Sequence, residues 1–289
     1  MASLGPILKQ AVETALGAAV QRVEFVGGGD INEARLLHTD AGRYFLKLNR
    51  LPQAAHMFDT EARGLALLRE AEQLRIPRVI AADAAGGSAF LLMEYIETGS
   101  PAPRFWEDFG GRLATLHRRP QPFFGLPFDN YIGSLPQPNG HFESFAELYI
   151  ERRLNPQLAA AREANLLSAA DERLLQQLYR RLTDLLPEEA PALIHGDLWN
   201  GNFLVSKAGA AALIDPAVAY AHREMDLAMS HLFGGFSPRF YEAYQAHYPT
   251  APGLEERMEL YQLYYLLVHV NLFGSSYTGS VRRILKRYA

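Results

Sequence analysis

The sequence predicts an α+β fold in two lobes, a small antiparallel β lobe with one inserted helix followed by a mainly helical lobe. Three observations carry this expectation. Between residues 20 and 96 apolar residues fall in short β-rich runs split by tight turns, and from residue 105 onward they recur mostly at helical spacing. Glu97-Thr98-Gly99-Ser100-Pro101-Ala102-Pro103, rich in residues that break regular structure, separates the two regimes. The boundary therefore falls after Ile96, with an N-terminal lobe over 1–96 and a C-terminal lobe over 97–289.

Leu4, Ile7, Leu8, Ala11, Val12 and Leu16 form a helical stripe, and Val20 to Val26 reads as the strand it feeds. After Gly27-Gly28-Gly29-Asp30-Ile31-Asn32, a hairpin is expected from Ala34 to His38 and Arg43 to Leu48, turning at Asp40-Ala41-Gly42. Met57 to Leu74 is amphipathic, carries Glu61 in its first turns, and is stopped by Ile76-Pro77. A second hairpin, Arg78 to Ala82 and Ala89 to Ile96, turns at Gly86-Gly87. Beyond the boundary, Phe105, Phe109, Leu113 and Leu116 mark a helix, and Arg119 to Gly140 reads as a long loop dense in Pro, Gly and aromatics. Helices are expected over Phe145 to Ala161 and Asp171 to Leu186. Two short apolar segments, Leu193-Ile194 and Phe203 to Val205, then bracket a polar loop, Ala211 to Ile214 leads into Asp215, and the chain from Met225 is mostly helical.

Composition is that of an ordinary globular protein: 289 residues, 48% hydrophobic and 21% charged. A net charge of -4 without a long basic block argues against nucleic acid or an anionic membrane as the main partner. Cysteine is absent, so disulfides and thiolate metal sites are excluded and any chemistry rests on oxygen and nitrogen groups. The N-terminus lacks the pattern of a signal peptide, and the longest apolar stretch, Tyr264 to Phe273, is short and interrupted by His269 and Asn271. A cytoplasmic monomer is expected.

The polar loop is His195-Gly196-Asp197-Leu198-Trp199-Asn200-Gly201-Asn202, with Asp197 five residues before Asn202. Asp215 follows the next apolar segment. Phosphoryl transfer requires held phosphates, neutralised charge and an acceptor hydroxyl aimed in line. The order glycine loop, strand Lys, helix Glu, Asp with a following Asn, and a later Asp meets those needs in kinases. Gly27, Gly28, Gly29 and Asn32 would line the phosphates, and Lys47 would bridge phosphate oxygens while pairing with Glu61. Three glycines also fit a plain turn, and a Lys–Glu pair also fits a surface ion pair. Asp197 is the candidate catalytic carboxylate orienting the hydroxyl, while Asn202 and Asp215 offer Mg²⁺ the hard oxygen ligands it prefers.

These motifs resemble the fructosamine kinase family, within the aminoglycoside phosphotransferase-like group of the protein-kinase-like fold. The resemblance extends to Phe124-Gly125-Leu126-Pro127-Phe128-Asp129-Asn130-Tyr131-Ile132-Gly133-Ser134, to Glu151-Arg152-Arg153-Leu154-Asn155-Pro156-Gln157, and to Asp215-Pro216-Ala217-Val218 with His222-Arg223-Glu224-Met225-Asp226. It implies ATP and Mg²⁺ as cofactors, and phosphorylation of the 3-hydroxyl of a ketosamine, free or on a protein, leading to deglycation. It also implies Met93, Glu94 and Tyr95 as the adenine hinge, and Trp199 and His222 as positions near the acceptor. Asp226 is expected to support the loop backbone, and His117 to be structural. Asp30 stands where some members carry Cys. The alternatives are an aminoglycoside- or choline-type kinase with a different 119–140 loop, or a nucleotide-binding pseudokinase, against which the presence of Lys47, Asp197 and Asp215 speaks.

Overall fold

A computed structural model describes residues 4–27 and 31–289. By contact the chain groups into two compact units, Met1–Phe105 with Phe203–Pro216, and Trp106–Asn202 with Ala217–Ala289. Gly28, Gly29 and Asp30 of the glycine loop lie outside the described residues.

The first unit opens with helix α1 (Pro6–Leu16), started by Pro6 in its first turn and stopped by Gly17 in the left-handed conformation. Strands β1 (Val20–Val26), β2 (Glu33–Thr39) and β3 (Gly42–Asn49) form an antiparallel meander. Helix α2 (Ala54–Glu70) follows, then the hairpin β4 (Val79–Ala85) and β5 (Ser88–Glu94). The five strands make one sheet in the order β1-β2-β3-β5-β4. Alternation along β3 sends Leu46 and Leu48 to one face, where they join Leu8 and Val12 of α1 and Phe90 and Leu92 of β5 in a buried cluster. Lys47, between them in sequence, therefore points to the opposite face. Helix α2 begins and ends earlier than its apolar periodicity suggests, because residues 71–74 leave the helix as turns and bends ahead of Ile76-Pro77.

The second unit begins with α3 (Phe105–His117). The predicted long loop is not structureless. It carries β6 (Phe124–Leu126), β7 (Asn130–Ile132), β8 (Leu135–Gln137) and β9 (Gly140–Phe142), three residues each and too short to leave a readable alternation. The expected helix from Phe145 is three pieces: α4 (Phe145–Leu148), a π-helical segment Tyr149–Leu154, and α5 (Asn155–Glu163). Pro156 brings no N–H to the carbonyl of Arg152, so regular helical bonding lapses there. Helices α6 (Ala169–Tyr179) and α7 (Leu182–Leu185) divide the next predicted helix. Ser168 opens α6 with a reciprocal capping box to Asp171.

Strand β10 (Ala192–Ile194) leads into the polar loop, after which β11 (Phe203–Val205) and β12 (Ala211–Leu213) form a hairpin that belongs to the first unit. Its tie is the stretch after Ile96: Gly99 N–H donates to Val205, Lys207 N–H to Glu97 and Ala102 N–H to Gly209. The chain returns to the second unit through β13 (Ala219–Ala221), which sits in a sheet ordered β10-β13-β6-β9. Helices α8 (Glu224–Leu232), α9 (Pro238–His247), α10 (Leu254–Phe273) and α11 (Thr278–Tyr288) complete it. Ten of the twenty residues of α10, on every side of the helix, are buried, which makes it the axis of the second unit's core. No described helix is long and apolar enough to cross a membrane.

Candidate active site

One cluster lies wholly in the first unit. Lys47 Nζ donates to Glu61 Oε1 and to Asp215 Oδ1, each at 2.6 Å. The β3 alternation turns Lys47 toward α2, which presents Glu61, and the β11–β12 hairpin delivers Asp215 at its end. Burial by itself would favour the neutral amine, but the two carboxylates outweigh it and hold the Lys47 pKa well above its usual value. Burial raises the Glu61 carboxyl, Lys47 opposes that, and the like charge of Asp215 adds to the rise. Asp215 adopts φ 55°, a left-handed conformation that Asp tolerates better than most residues, and its side chain is 45% exposed. The most accessible carboxylate of the cluster is thus the one expected at the metal.

Asn32 is anchored to the same strand, accepting from Asn49 Nδ2 at 2.8 Å, while Asn49 Oδ1 accepts the N–H of Leu51. Gly27 has open space where a side chain would stand. Met93 is buried in β5 and pairs with Phe45 and Val79. Glu94 closes the strand, its carboxylate accepting from the Arg75 guanidinium and from Arg78 N–H, and Tyr95 lies under the Arg43 guanidinium at 5.0 Å.

The second cluster is the 195–202 loop, wholly in the second unit. Asp226 accepts the N–H of His195 at 2.7 Å and of Gly196 at 2.8 Å. His117 Nε2 donates to Asp226 Oδ2, and its Nδ1 accepts from Tyr244. Gly196, at φ 82°, passes so close to Ala217 that a Cβ would stand 1.9 Å from its carbonyl oxygen. Asn202 Nδ2 donates to both the carbonyl and Oδ2 of Asp197, each at 2.8 Å. That use of both amide hydrogens leaves Asn202 Oδ1 with no donor among the described residues. Taken singly, each donor suits a hard oxygen-seeking cation such as Mg²⁺: the Asn202 amide oxygen in this unit, and the half-exposed Asp215 carboxylate in the other. Among the described residues no group of three or more His, Asp or Glu could hold a metal alone.

Trp199 is 36% exposed, lies edge-on to Phe233 with centroids 6.0 Å apart, and covers Gly201, where a Cβ would meet its ring at 2.4 Å. Phe233 continues into His269, and His269 into Phe273 and Tyr277, an aromatic surface beside Trp199 that the sequence does not reveal because its members are 34 to 78 residues away. His222 is placed unlike Trp199. It has no exposed surface; Nε2 donates to Pro187, Nδ1 accepts from Tyr261 and from Glu224 N–H, and burial lowers its pKa. A ring enclosed in this way braces the core. The sequence weighs Trp199 and His222 alike because a polar loop and a helix start look equally accessible before packing is known.

The family model described as Fructosamine kinase matches residues 6–289. The chloroplastic protein-ribulosamine 3-kinase of Arabidopsis thaliana is 37% identical over 289 residues, covering 98% of this chain and 87% of that protein. A crystal structure from Thermobifida fusca YX-ER1 superposes with a TM-score of 0.87 at 34% identity, over 96% of this chain and 97% of that one. A spectinomycin phosphotransferase structure shares the fold with a TM-score of 0.60 at 16% identity, over 99% of this chain and 94% of the other.

Proposed function

Because the chain belongs to the fructosamine kinase family, we propose that its two clusters serve one reaction, transfer of the ATP γ-phosphate to the 3-hydroxyl of a ketosamine. The observation that carries the reading is the Asp197–Asn202 pair, a carboxylate oriented by an amide on a loop whose backbone Asp226 pins. In this reading Asp197 accepts the proton of the hydroxyl as it attacks. Lys47, held by Glu61, takes phosphate oxygens, with the 27–32 loop around the phosphates and residues 93–95 at the adenine. Asn202 and Asp215 would hold Mg²⁺, which supplies charge neutralisation on the transferring phosphoryl group. Trp199 presents an apolar face to the sugar. The first unit thus serves the nucleotide and the second the acceptor.

A phosphate at C3 is a good leaving group from the enaminol form of the product; its elimination as inorganic phosphate leaves an imine at C1, and hydrolysis of that imine by water releases the original amine together with a 3-deoxy dicarbonyl sugar. Ribulosamines, erythrulosamines and fructosamines, free or on proteins, are the acceptor class. The enzyme acts as a cytoplasmic monomer with no nucleic-acid or membrane partner, consistent with its net charge of -4.

The test compares ribuloselysine, fructoselysine and an aminoglycoside at equal concentration with Mg·ATP, and locates the new phosphate by NMR. Transfer to C3 of a ketosamine is expected; phosphate on the aminoglycoside alone would overturn the reading. Asp197→Asn should lower kcat by about 10²–10⁴-fold, the usual worth of a general base, while ATP affinity measured by calorimetry stays near that of the parent. Near-parental turnover by the variant would remove Asp197 from its role.

A further inference from the structure

Arg153 is a charged residue buried to 2% exposure, yet it has no carboxylate at ion-pair distance among the described residues. Its Nη1 donates to the carbonyls of Pro138 at 2.7 Å and Arg152 at 3.1 Å, the latter being the carbonyl that Pro156 cannot serve. Its Nη2 donates to Asn139 Oδ1 at 2.7 Å. From there a chain of buried amides runs in one direction. Asn139 Nδ2 donates to Asn130 Oδ1 at 2.9 Å, and Asn130 Nδ2 donates to the Val218 carbonyl at 2.9 Å. In parallel, Tyr264 donates to Gln137 Oε1 at 2.7 Å, and Gln137 Nε2 donates to Asn130 Oδ1 and to the Ala217 carbonyl at 3.2 Å.

A guanidinium can only donate. Asn139 must therefore offer Arg153 its oxygen and pass its N–H onward, which forces Asn130 to offer its oxygen in turn and direct its own N–H at Val218. The cation sets the polarity of every amide behind it, and a reversed amide would leave a buried donor facing a donor. The carbonyls at the end of the chain belong to the segment that flanks the catalytic loop. Ala217 N–H donates to the His195 carbonyl at 2.9 Å, and the Ala217 carbonyl is the atom that leaves Gly196 no room for a Cβ. Asp226 holds the loop's N–H groups, and the 217–218 segment supports the same two residues through the His195 carbonyl and the Gly196 Cα.

We propose that Arg153, Asn139, Asn130 and Gln137 form a polarised positioning relay that fixes the 217–218 segment against Gly196, and through it the placement of Asp197 for phosphoryl transfer. The proposal rests on the role given above to Asp197. It explains why two segments far in sequence from the loop, 130–139 and 149–154, are built around amides and a buried cation with no carboxylate partner: they set a loop rather than bind a substrate. A displacement of the loop by a fraction of an ångström lowers the rate without a matching loss of substrate affinity.

The experiment uses the full chain with Arg153→Met, Arg153→Lys and Gln137→Glu, the last replacing the donor to Ala217 with an oxygen in an isosteric side chain. Each variant is assayed about 15 °C below its own Tm so that folded enzyme is compared with folded enzyme. Arg153→Met and Gln137→Glu should lower kcat by roughly tenfold or more with KM for ATP and ketosamine changed by less than about threefold. Hydrogen exchange over residues 214–221 should quicken by about tenfold while α6 and α11 exchange as in the parent. Arg153→Lys, which keeps a buried donor-only cation, should recover part of the loss. Should Arg153→Met not fold, Gln137→Glu carries both readouts. Unchanged kcat per folded molecule, exchange quickened equally throughout, or equal loss in the Lys and Met variants would each overturn the relay. Exchange is read without turnover, so failure of the Asp197 assignment, seen as an active Asp197→Asn enzyme, remains a separate result.

Discussion

At the scale of single residues, side-chain partnerships were legible where residue type and spacing coincide. Asp197 and Asn202, five apart, are brought together at 2.8 Å. Lys47 and Glu61, fourteen apart, meet because strand alternation and the α2 face agree, and Asp215 joins them from 168 residues away. Lys47 separates two carboxylates in a largely buried place, so Lys47→Met leaves them facing each other. Burial and Asp215 already raise the Glu61 carboxyl, and without Lys47 to oppose them its folded-state pKa climbs further above the unfolded value, which gives stability present below the unfolded carboxylate range and lost as pH increases. The variant should therefore fall further below the parent at pH 7.5 than at pH 4.5. We expect a deficit on the order of 1–3 kcal/mol at pH 7.5 by urea denaturation, at the low end because Asp215 is half-exposed. A deficit that shrinks as pH rises would contradict the arrangement. Gly196→Ala meets both a 1.9 Å clash and a left-handed backbone. It should cost roughly 2 kcal/mol or more in stability and most of the activity; parental activity would show that the 217 carbonyl can move aside.

Among the elements, long periodic helices and the strands of the first sheet were readable, and the short pieces of the second unit were not. Three-residue strands give no periodicity, and whether Tyr149–Leu154 continues a helix is decided by what it docks against. Tyr149 enters the ladder of α10: its hydroxyl donates to the Leu260 carbonyl at 2.6 Å and accepts the Tyr264 N–H at 3.2 Å, two groups that a regular helix would pair with each other. Burial pushes the Tyr149 hydroxyl pKa up and keeps it a neutral donor. Tyr149→Phe should destabilise by about 1–3 kcal/mol, the penalty for unsatisfied buried backbone groups. A thermal or urea measurement showing no loss would mean that α10 closes its own ladder. Nothing in the order of residues announces this contact, because the two elements are over a hundred residues apart.

For the whole molecule, burial depresses the pKa of His222, His231 and His269 below the usual 6.5. Such groups stay neutral in the folded state while the unfolded chain takes up protons, so stability is full above pH 6.5 and declines as pH falls below it. Around His222, Glu189 and Glu224 favour the charged ring and Arg223 opposes it, and desolvation prevails. Glu61, raised in the folded state, acts with the opposite sign, so the comparison is with His222→Asn, whose unfolding free energy should fall less steeply between pH 7 and 5, by up to about 1.4 kcal/mol per pH unit. An equal slope in both proteins would place the His222 pKa at its ordinary value. The sequence by itself determined the α+β class, the family and the order of the residues proposed for phosphoryl transfer, because these reside in local periodicity and in short motifs. The tertiary structure decided that His222 is enclosed, that the 119–140 stretch is a set of small strands, and that Arg153 heads a chain of amides ending beside Gly196. Those outcomes depend on which distant groups share a dry interior, where each buried donor must find an acceptor, and no local pattern encodes that pairing.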